Sequence, residues 1–141
     1  MSGVVADSVF TKIIKGEIPC HRVFENEHVL AFLDITPLGE GHTLVVPKKQ
    51  VADLEDLPIE DAAAIASVLG MLAKRICSAV GAEGYNVLLN NGKVAGQEVP
   101  HVHFHIIPRR GGDGLGYRWK AQSGDHKKLA EMAQTISNST A

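Results

Sequence analysis

His101-Val102-His103-Phe104-His105-Ile106-Ile107 is the stretch from which the fold and the chemistry of this chain are best read. Histidine alternates with apolar residues, and a period of two is typical of a half-buried β-strand. The pattern predicts that the three histidines share one face, while Val102, Phe104 and Ile106 point to a core. Imidazole titrates near neutral pH and serves as nucleophile, proton donor or metal ligand, so this face is the first candidate for a functional site.

Three interpretations of this strand are open from the residues alone. A merely solvated strand is the weakest, because three histidines at consecutive alternate positions are unlikely by chance. A metal site is the second. Histidines two apart, about 6.6 Å along a strand, can both reach one ion, but the outer pair is about 13 Å apart, so a site would need a further ligand such as His42 or an acidic residue. The third is nucleophilic and acid–base chemistry on a phosphate, for which the small residues of 92–98 supply main-chain N–H groups.

Composition describes an ordinary globular chain. Its 141 residues are 45% apolar and 21% charged, and we expect them to form a single domain, 1–141. A net charge of −2 lacks the basic excess that nucleic-acid binding needs, so no nucleic-acid partner is expected. Neither a signal-like N-terminus nor a long uninterrupted apolar run occurs, which predicts a cytoplasmic protein without a membrane partner.

Hydrophobic periodicity and chain breakers predict an α+β fold with about five antiparallel strands. The predicted strands are 21–25, 29–34, 42–47, 85–90 and 101–107. The predicted helices are a short one at 8–15, a long one at 58–80 and a short C-terminal one at 125–137.

The pattern His-φ-His-φ-His-φ-φ, which residues 101–107 match at every position, is the defining motif of the histidine triad (HIT) family of nucleotide hydrolases and transferases, and the chain resembles that family. Other segments within about 8–118 resemble it too, namely Phe10–Pro19, Leu30–Pro37, Gly41–Lys48 and Gly96–Pro100. The resemblance implies a HIT-like fold over this core, followed by a tail or helix in 119–141. It also favours chemistry on a nucleotide phosphate over the other two interpretations.

The resemblance implies a role for each histidine of the motif. His103 would be the nucleophile that takes the nucleotidyl group from the α-phosphate. His105 would contact the phosphate and help to protonate the leaving group, and His101 would keep the histidine network in order. His42, on an adjacent strand, would support the same network.

A nucleotide pocket is implied as well. Asp34 resembles the family's ribose-binding carboxylate, and Asn90 and Gln97 would hydrogen-bond the phosphate or the leaving group. The residues that would line the base pocket are Phe10, Ile13, Phe32 and Ile35. Core positions for the apolar residues and a turn position for Asp34 are the alternatives.

Two positions depart from the family pattern. Many bacterial relatives hold a structural zinc through a Cys-x-x-Cys, a histidine after a Pro-Lys-Lys run and the first triad histidine, whereas Ser8, Thr11 and Gln50 stand at the aligned positions here. Neither a hydroxyl nor an amide replaces thiolate or imidazole on zinc, so we expect no structural metal and no cofactor. Glu98 stands where phosphoramidase-type relatives often have a small hydroxyl residue, which leaves the preference for a leaving group open.

The resemblance therefore implies a nucleotide-binding hydrolase that cleaves purine nucleoside phosphoramidates or dinucleoside polyphosphates through a covalent nucleotidyl-histidine and releases a nucleoside monophosphate. One alternative is a nucleotide-binding regulatory protein with vestigial hydrolysis, and another is a nucleotidyltransferase or phosphorylase of the same family. The expected substrate is an adenosine-type nucleotide and the expected assembly a homodimer. Trp119 would then reach the partner's site or be a plain surface or core aromatic.

Overall fold

A computed structural model describes residues 5–116 and 119–140 and shows a five-stranded antiparallel sheet with helices on both faces. The strands are β1 (Arg22–Glu25), β2 (Val29–Leu33), β3 (Thr43–Pro47), β4 (Gly84–Leu89) and β5 (Phe104–Arg109). The helices are α1 (Val9–Ile14), α2 (Ile59–Val80) and α3 (His126–Ser137), with short 3-10 turns at Leu54–Asp56 and Lys93–Ala95. The strands lie in the order β1-β2-β3-β5-β4, which confirms the predicted α+β fold with one long helix and two short terminal ones.

Alternate residues of the central strands enter two different layers of the core. The layer between the sheet and α2 contains Val29, Ala31, Val45, Ile65, Leu72, Val102 and Ile106. The layer between the sheet and α1 contains Phe10, Leu30, Phe32, Leu44 and Val46. Because both faces of the sheet are covered, β2 and β3 read as continuous apolar runs rather than as alternating ones.

Helix α2 is long and apolar enough to cross a membrane by length and composition. In this fold it is a core helix, whose buried Ile65, Val68, Leu72 and Ile76 recur at three- and four-residue spacing and pack on the sheet. It ends at Gly81, whose left-handed φ of 71° is the usual conformation at a helix terminus. The core that α2 builds therefore accounts for part of its apolar character, since 28% of its most apolar window is buried.

The prediction that the histidine strand starts at His101 is wrong. Strand β5 begins at Phe104, and its last pair with β3 is Phe104 opposite Val45. Continuing that register would place Val102 opposite Pro47, which has no N–H to donate to a ladder. The backbone N–H groups of His101 and Val102 instead donate to Val99 O and Val51 O, each at 2.8 Å. The alternation of faces survives, but loops rather than the sheet hold two of the three histidines.

The C-terminal helix is present as predicted. Asp125 caps it, with Oδ1 accepting from Lys127 N–H at 2.9 Å, and the side chains of α3 are exposed. Trp119 is 81% exposed, so its contact with a partner chain stays a prediction. Tyr117 and Arg118, where the predicted core ends, lie outside the described residues.

Gly41 fixes the entry into β3 and with it the position of His42. Its φ is 86°, and an added Cβ would lie 3.0 Å from Ile76 Cγ2 and Val80 Cγ1. We expect Gly41→Ala to lower the free energy of unfolding by about 1–3 kcal/mol, because a Cβ disfavours this backbone and the packed core has no room for it. Urea denaturation measures the change.

Gly39→Ala is the matched control for this substitution. It lies in the same loop, and an added Cβ there meets no atom within 4 Å. Its effect should stay within about 0.5 kcal/mol, as for most surface substitutions. Equal losses for the two variants would contradict the assigned role of Gly41.

Candidate active site

A groove of about 460 Å³ opens on the α1 side of the sheet, a volume typical of small-molecule sites. It brings together most of the residues predicted from the sequence, and those that line it are Phe10, Ile13, Phe32, Asp34, Ile35, His42, Asn90, His103 and His105. Ile35 is 83% exposed, whereas Phe10 and Phe32 are almost fully buried. The two phenylalanines therefore belong both to the core and to the wall of the groove.

Gln97 and His101 do not line the groove. The Gln97 amide is used within the protein, because Oε1 accepts from Gly92 N–H at 2.7 Å while Nε2 donates to Ala52 O and Val99 O. The predicted hydrogen bond from Gln97 to a phosphate or leaving group is not supported by this arrangement. Gln97 instead shapes the loop before the triad, and His101 lies fully buried behind the groove wall.

His103 has its protonated nitrogen fixed by the main chain. Its Nδ1 lies 2.7 Å from the carbonyl oxygen of His101. A carbonyl only accepts, so we assign the proton of the neutral ring to Nδ1 and the lone pair to Nε2. Phe10 packs edge-on against the ring, with centroids 4.9 Å apart. A nucleophile at this position would therefore act through Nε2.

His42 and His105 form a hydrogen-bond relay that places the proton of His105 on Nε2, the opposite of the assignment for His103. Leu38 N–H donates to His42 Nδ1 at 3.0 Å, which places the proton of neutral His42 on Nε2. That Nε2–H donates to His105 Nδ1 at 2.9 Å, so the proton of His105 is on Nε2. His105 Nε2 is buried and has no hydrogen-bond partner among the described residues. A buried N–H without a partner, in the wall of a groove, is a donor available to a ligand.

Burial keeps the relay in its neutral form at pH 7. Desolvation lowers the pKa of His42 below its ordinary value, although Asp34 Oδ2 lies 3.6 Å from its Nε2 and opposes the shift. Desolvation also lowers the pKa of His105 to about 4, and the neighbouring His103 and His42 add repulsion of its charged form. Neutral rings are what the assignment of donors and acceptors requires.

Asp34 and Asn90 add to the groove polar groups whose hydrogen-bonding capacity is not fully used within the described part of the chain. Asp34 Oδ1 accepts from the N–H and the hydroxyl of Thr36 at 2.9 and 3.1 Å, which leaves Oδ2 with free lone pairs. Such an oxygen suits the hydroxyl groups of a sugar. The Asn90 side chain makes no hydrogen bond with the described part of the chain, so both its amide N–H groups and its oxygen are available.

Asp34, His42 and His105 are also the described residues whose ligand atoms, all within 4.8 Å of one another, could hold a metal ion. Two nitrogens bound to a tetrahedral zinc at about 2.0–2.1 Å would lie roughly 3.3 Å apart. His42 Nε2 and His105 Nδ1 are 2.9 Å apart and share a proton. A metal would have to break this hydrogen bond, so the arrangement fits the relay better. The absence of a metal stays a prediction.

The three positions aligned with zinc ligands of bacterial relatives do come together at His101. Ser8 Oγ lies 2.7 Å from His101 Nδ1, and Thr11 Oγ1 lies 2.5 Å from Gln50 Oε1. Hydrogen bonds between hydroxyl, amide and imidazole groups occupy this place, which is the kind of interaction these side chains prefer.

The main-chain groups on which the two proton assignments depend were not predicted from the sequence. These are the carbonyl of His101 and the N–H of Leu38, and no side-chain pattern encodes either of them. The sequence also did not predict part of the apolar wall, which includes Val9, Ile18, Pro19, Cys20, Leu44 and Val99. The spacing of these apolar residues does not distinguish them from core positions. The one sequence feature that could have indicated the Leu38 N–H donor is the Pro37-Leu38-Gly39 turn just before His42.

Comparison with known proteins identifies the family of the chain. The HIT domain family model matches residues 15–112. The chain is 47% identical over 135 residues to adenosine 5′-monophosphoramidase HNT1 of Saccharomyces cerevisiae, covering 93% of this chain and 81% of that one. It is 42% identical over 117 residues to adenylylsulfatase HINT3 of Arabidopsis thaliana, covering 83% and 58%. A crystal structure of a HIT family member from Bacillus subtilis matches with a TM-score of 0.91 at 40% identity, covering 96% and 99%. The chain therefore belongs to the HIT family.

Proposed function

We propose that the protein is a nucleotide hydrolase that cleaves the P–N bond of adenosine phosphoramidates through a nucleotidyl-histidine on His103 and releases AMP. The observation that carries this proposal is the pair of opposite proton assignments on neighbouring rings, a bare Nε2 on His103 and an unpartnered Nε2–H on His105. The two ring centroids are 5.1 Å apart. A nucleophile beside a hydrogen-bond donor is what displacement at phosphorus needs. The names of the yeast and plant relatives support a nucleotide substrate.

In the first step, His103 Nε2 attacks the α-phosphorus of a substrate whose leaving nitrogen has already taken up an additional proton from water and is in its ammonium form. The P–N electron pair leaves with the nitrogen as a neutral amine, and a phosphorylated imidazolium remains on His103. In the second step, water attacks the phosphorus, the bond to Nε2 breaks, and AMP and one proton are released. His105 Nε2–H donates to a phosphoryl oxygen throughout, where negative charge gathers in each transition state.

The remaining groove residues would hold the nucleoside. Asp34 Oδ2 accepts from the ribose hydroxyls, and Asn90 donates to a phosphoryl oxygen. The apolar side chains of Phe10, Ile13 and Ile35 provide the contact surface for the base. A base held by apolar contacts and a sugar held by one carboxylate give orientation without needing a cation.

The charges of the groove favour an amine as the leaving group. Apart from the histidines, its charged lining residues within the described ranges are the carboxylates Asp34 and Glu98, with no lysine or arginine. Two unit charges 4 Å apart repel by about 1 kcal/mol in water and about 4 kcal/mol at an effective dielectric constant of 20. A dinucleoside polyphosphate or adenylyl sulfate would bring an anionic leaving group towards Glu98. An amine brings none, so phosphoramidates are the preferred class.

A turnover panel tests this proposal. Adenosine 5′-phosphoramidate, a diadenosine polyphosphate and adenylyl sulfate are compared at equal concentration, with AMP measured by chromatography. We expect kcat/KM for the phosphoramidate to exceed the others by roughly tenfold or more, the factor that 1.4 kcal/mol of repulsion gives. Preference for the polyphosphate would refute the charge argument.

Two further measurements with the same substrates test the alternative functions. Tight nucleotide binding by calorimetry without any AMP release would indicate a binding or regulatory protein. Formation of ADP when inorganic phosphate is added would indicate a phosphorylase, because phosphate rather than water would then resolve the intermediate. Either result would replace the proposed hydrolase.

A further inference from the structure

The residues His101–His103 carry the proposed nucleophile, but they precede β5 and lack the support of its ladder. On its C-terminal side, this segment continues into the sheet at Phe104, which pairs with Val45 and Leu89. A nucleophile must be held within a fraction of an ångström of its productive position. Contacts outside the β5 ladder must therefore hold His103 in position.

The buried ring of His101 is held by two such contacts. Its Nε2 lies 2.8 Å from Pro47 O, a group that only accepts, so the proton of the neutral ring is on Nε2 and the lone pair on Nδ1. Ser8 Oγ lies 2.7 Å from that Nδ1. The carbonyl of the same residue accepts the Nδ1–H of His103 at 2.7 Å. The orientation of His101 therefore determines which nitrogen of His103 is free.

The shortest contacts among Ser8, Thr11, Gln50 and His101 indicate one arrangement of the hydroxyl protons. Thr11 Oγ1–H donates to Gln50 Oε1 at 2.5 Å, and the same oxygen accepts from Ser8 N–H at 2.8 Å. Gln50 Nε2 donates to Ala6 O, which fixes the direction of its amide. Ser8 Oγ already accepts from Thr11 N–H at 3.0 Å, so its own proton is left for His101 Nδ1. The alternative contacts, Ser8 Oγ to Thr11 Oγ1 at 3.3 Å and Thr11 Oγ1 to His101 Nδ1 at 3.4 Å, are longer, so the shorter contacts favour this arrangement.

We propose that Ser8, Thr11 and Gln50 are positioning residues for the nucleophile. Their hydrogen bonds hold the ring of His101 against Pro47, and the carbonyl of His101 then keeps His103 with its Nε2 lone pair free. Ser8 and Gln50 do not line the groove, so they act through His101 and not on the substrate. The kinetic part of this inference rests on the proposed function, whereas the protonation state of His103 does not.

Ser8→Ala and Gln50→Leu test the inference, with Ser67→Ala as a matched control. Ser67 carries an exposed hydroxyl that donates to Ala64 O, its one hydrogen-bond partner within the described residues. We expect each test variant to lower kcat by roughly 10- to 100-fold, the cost of a misplaced reacting group, with KM within about twofold. Ser8→Thr keeps the hydroxyl and should restore most of kcat, and Ser67→Ala should leave it unchanged.

Nitrogen-15 NMR of the histidine rings gives the readout that does not depend on turnover. In the wild type, His103 should show a protonated Nδ1 and a bare Nε2, and in Ser8→Ala the two forms should average. Because Ser8 also caps α1, kcat is corrected for the folded fraction measured by circular dichroism, and Gln50→Leu leaves that cap intact.

The results separate this inference from the proposed function. An unchanged His103 spectrum in both test variants would overturn the inference, and so would losses of kcat no larger than the loss of folded protein. A wild type without turnover would refute the proposed function, and the NMR comparison alone would then decide whether Ser8 and Gln50 position His103.

Discussion

His103→Ala is expected to abolish turnover, with kcat falling by at least about 10⁴-fold, as for other enzymes that lose a covalent nucleophile. The reason is that the bare Nε2 of His103 is the nitrogen assigned to attack the phosphorus, and neither His105 nor His42 offers a lone pair to the groove. Incubation of the wild type with adenosine 5′-phosphoramidate should give an acid-labile nucleotidyl adduct by mass spectrometry. The alanine variant should give none.

The control for this loss is His21→Ala, which removes an exposed histidine outside the groove and should keep wild-type turnover. His103→Gly with added imidazole offers a second check, because a free imidazole can occupy the vacated space and attack in place of the side chain. Near-normal turnover by His103→Ala, or an adduct mapped to another residue, would show that the proposed nucleophile is wrong.

The sequence predicted the sheet and the faces of the histidine strand well, because a period of two depends on local geometry alone. Val102 and Ile106 pack on the α2 side of the sheet, and His105 pairs with Leu44 of the opposite layer. What periodicity does not show is where a ladder stops. That depends on Pro47 in a strand more than fifty residues away, so the start of β5 was placed three residues too early.

The candidate site shows the same division between local and distant information. Side chains next to strands, such as Asp34 just after β2 and His42 just before β3, lie in the groove as the sequence predicted. Gln97 was assigned to the substrate because its own fold partners are not apparent from the sequence, and they are main-chain groups of 52, 92 and 99. Hydrogen bonds to the backbone follow from the tertiary structure, and a linear pattern contains no trace of them.

His105→Ala is expected to lower kcat by roughly 10²- to 10³-fold, the usual loss when a donor to a developing negative charge is removed. The relay from Leu38 through His42 leaves His105 neutral, with a buried Nε2–H that no described residue accepts. A pKa of about 4 means that its charged form is rare at pH 7. We therefore expect His105 to act as a hydrogen-bond donor to the phosphoryl oxygen rather than as an acid that delivers a proton to the leaving group.

This distinction is measured with two substrates that share the adenylyl group and differ in the leaving group. The amine of a phosphoramidate needs a proton to depart, whereas the p-nitrophenolate of adenosine 5′-p-nitrophenyl phosphate does not. Because a donor to the phosphoryl oxygen serves both reactions, His105→Ala should reduce kcat by a similar factor for each. A loss at least about tenfold larger with the amine would contradict this role, since general acid catalysis contributes about 10²- to 10⁴-fold only where a leaving group requires protonation.

His42→Ala should show the same pattern to a smaller extent, because it removes the hydrogen bond that keeps the His105 proton on Nε2 without removing the donor itself.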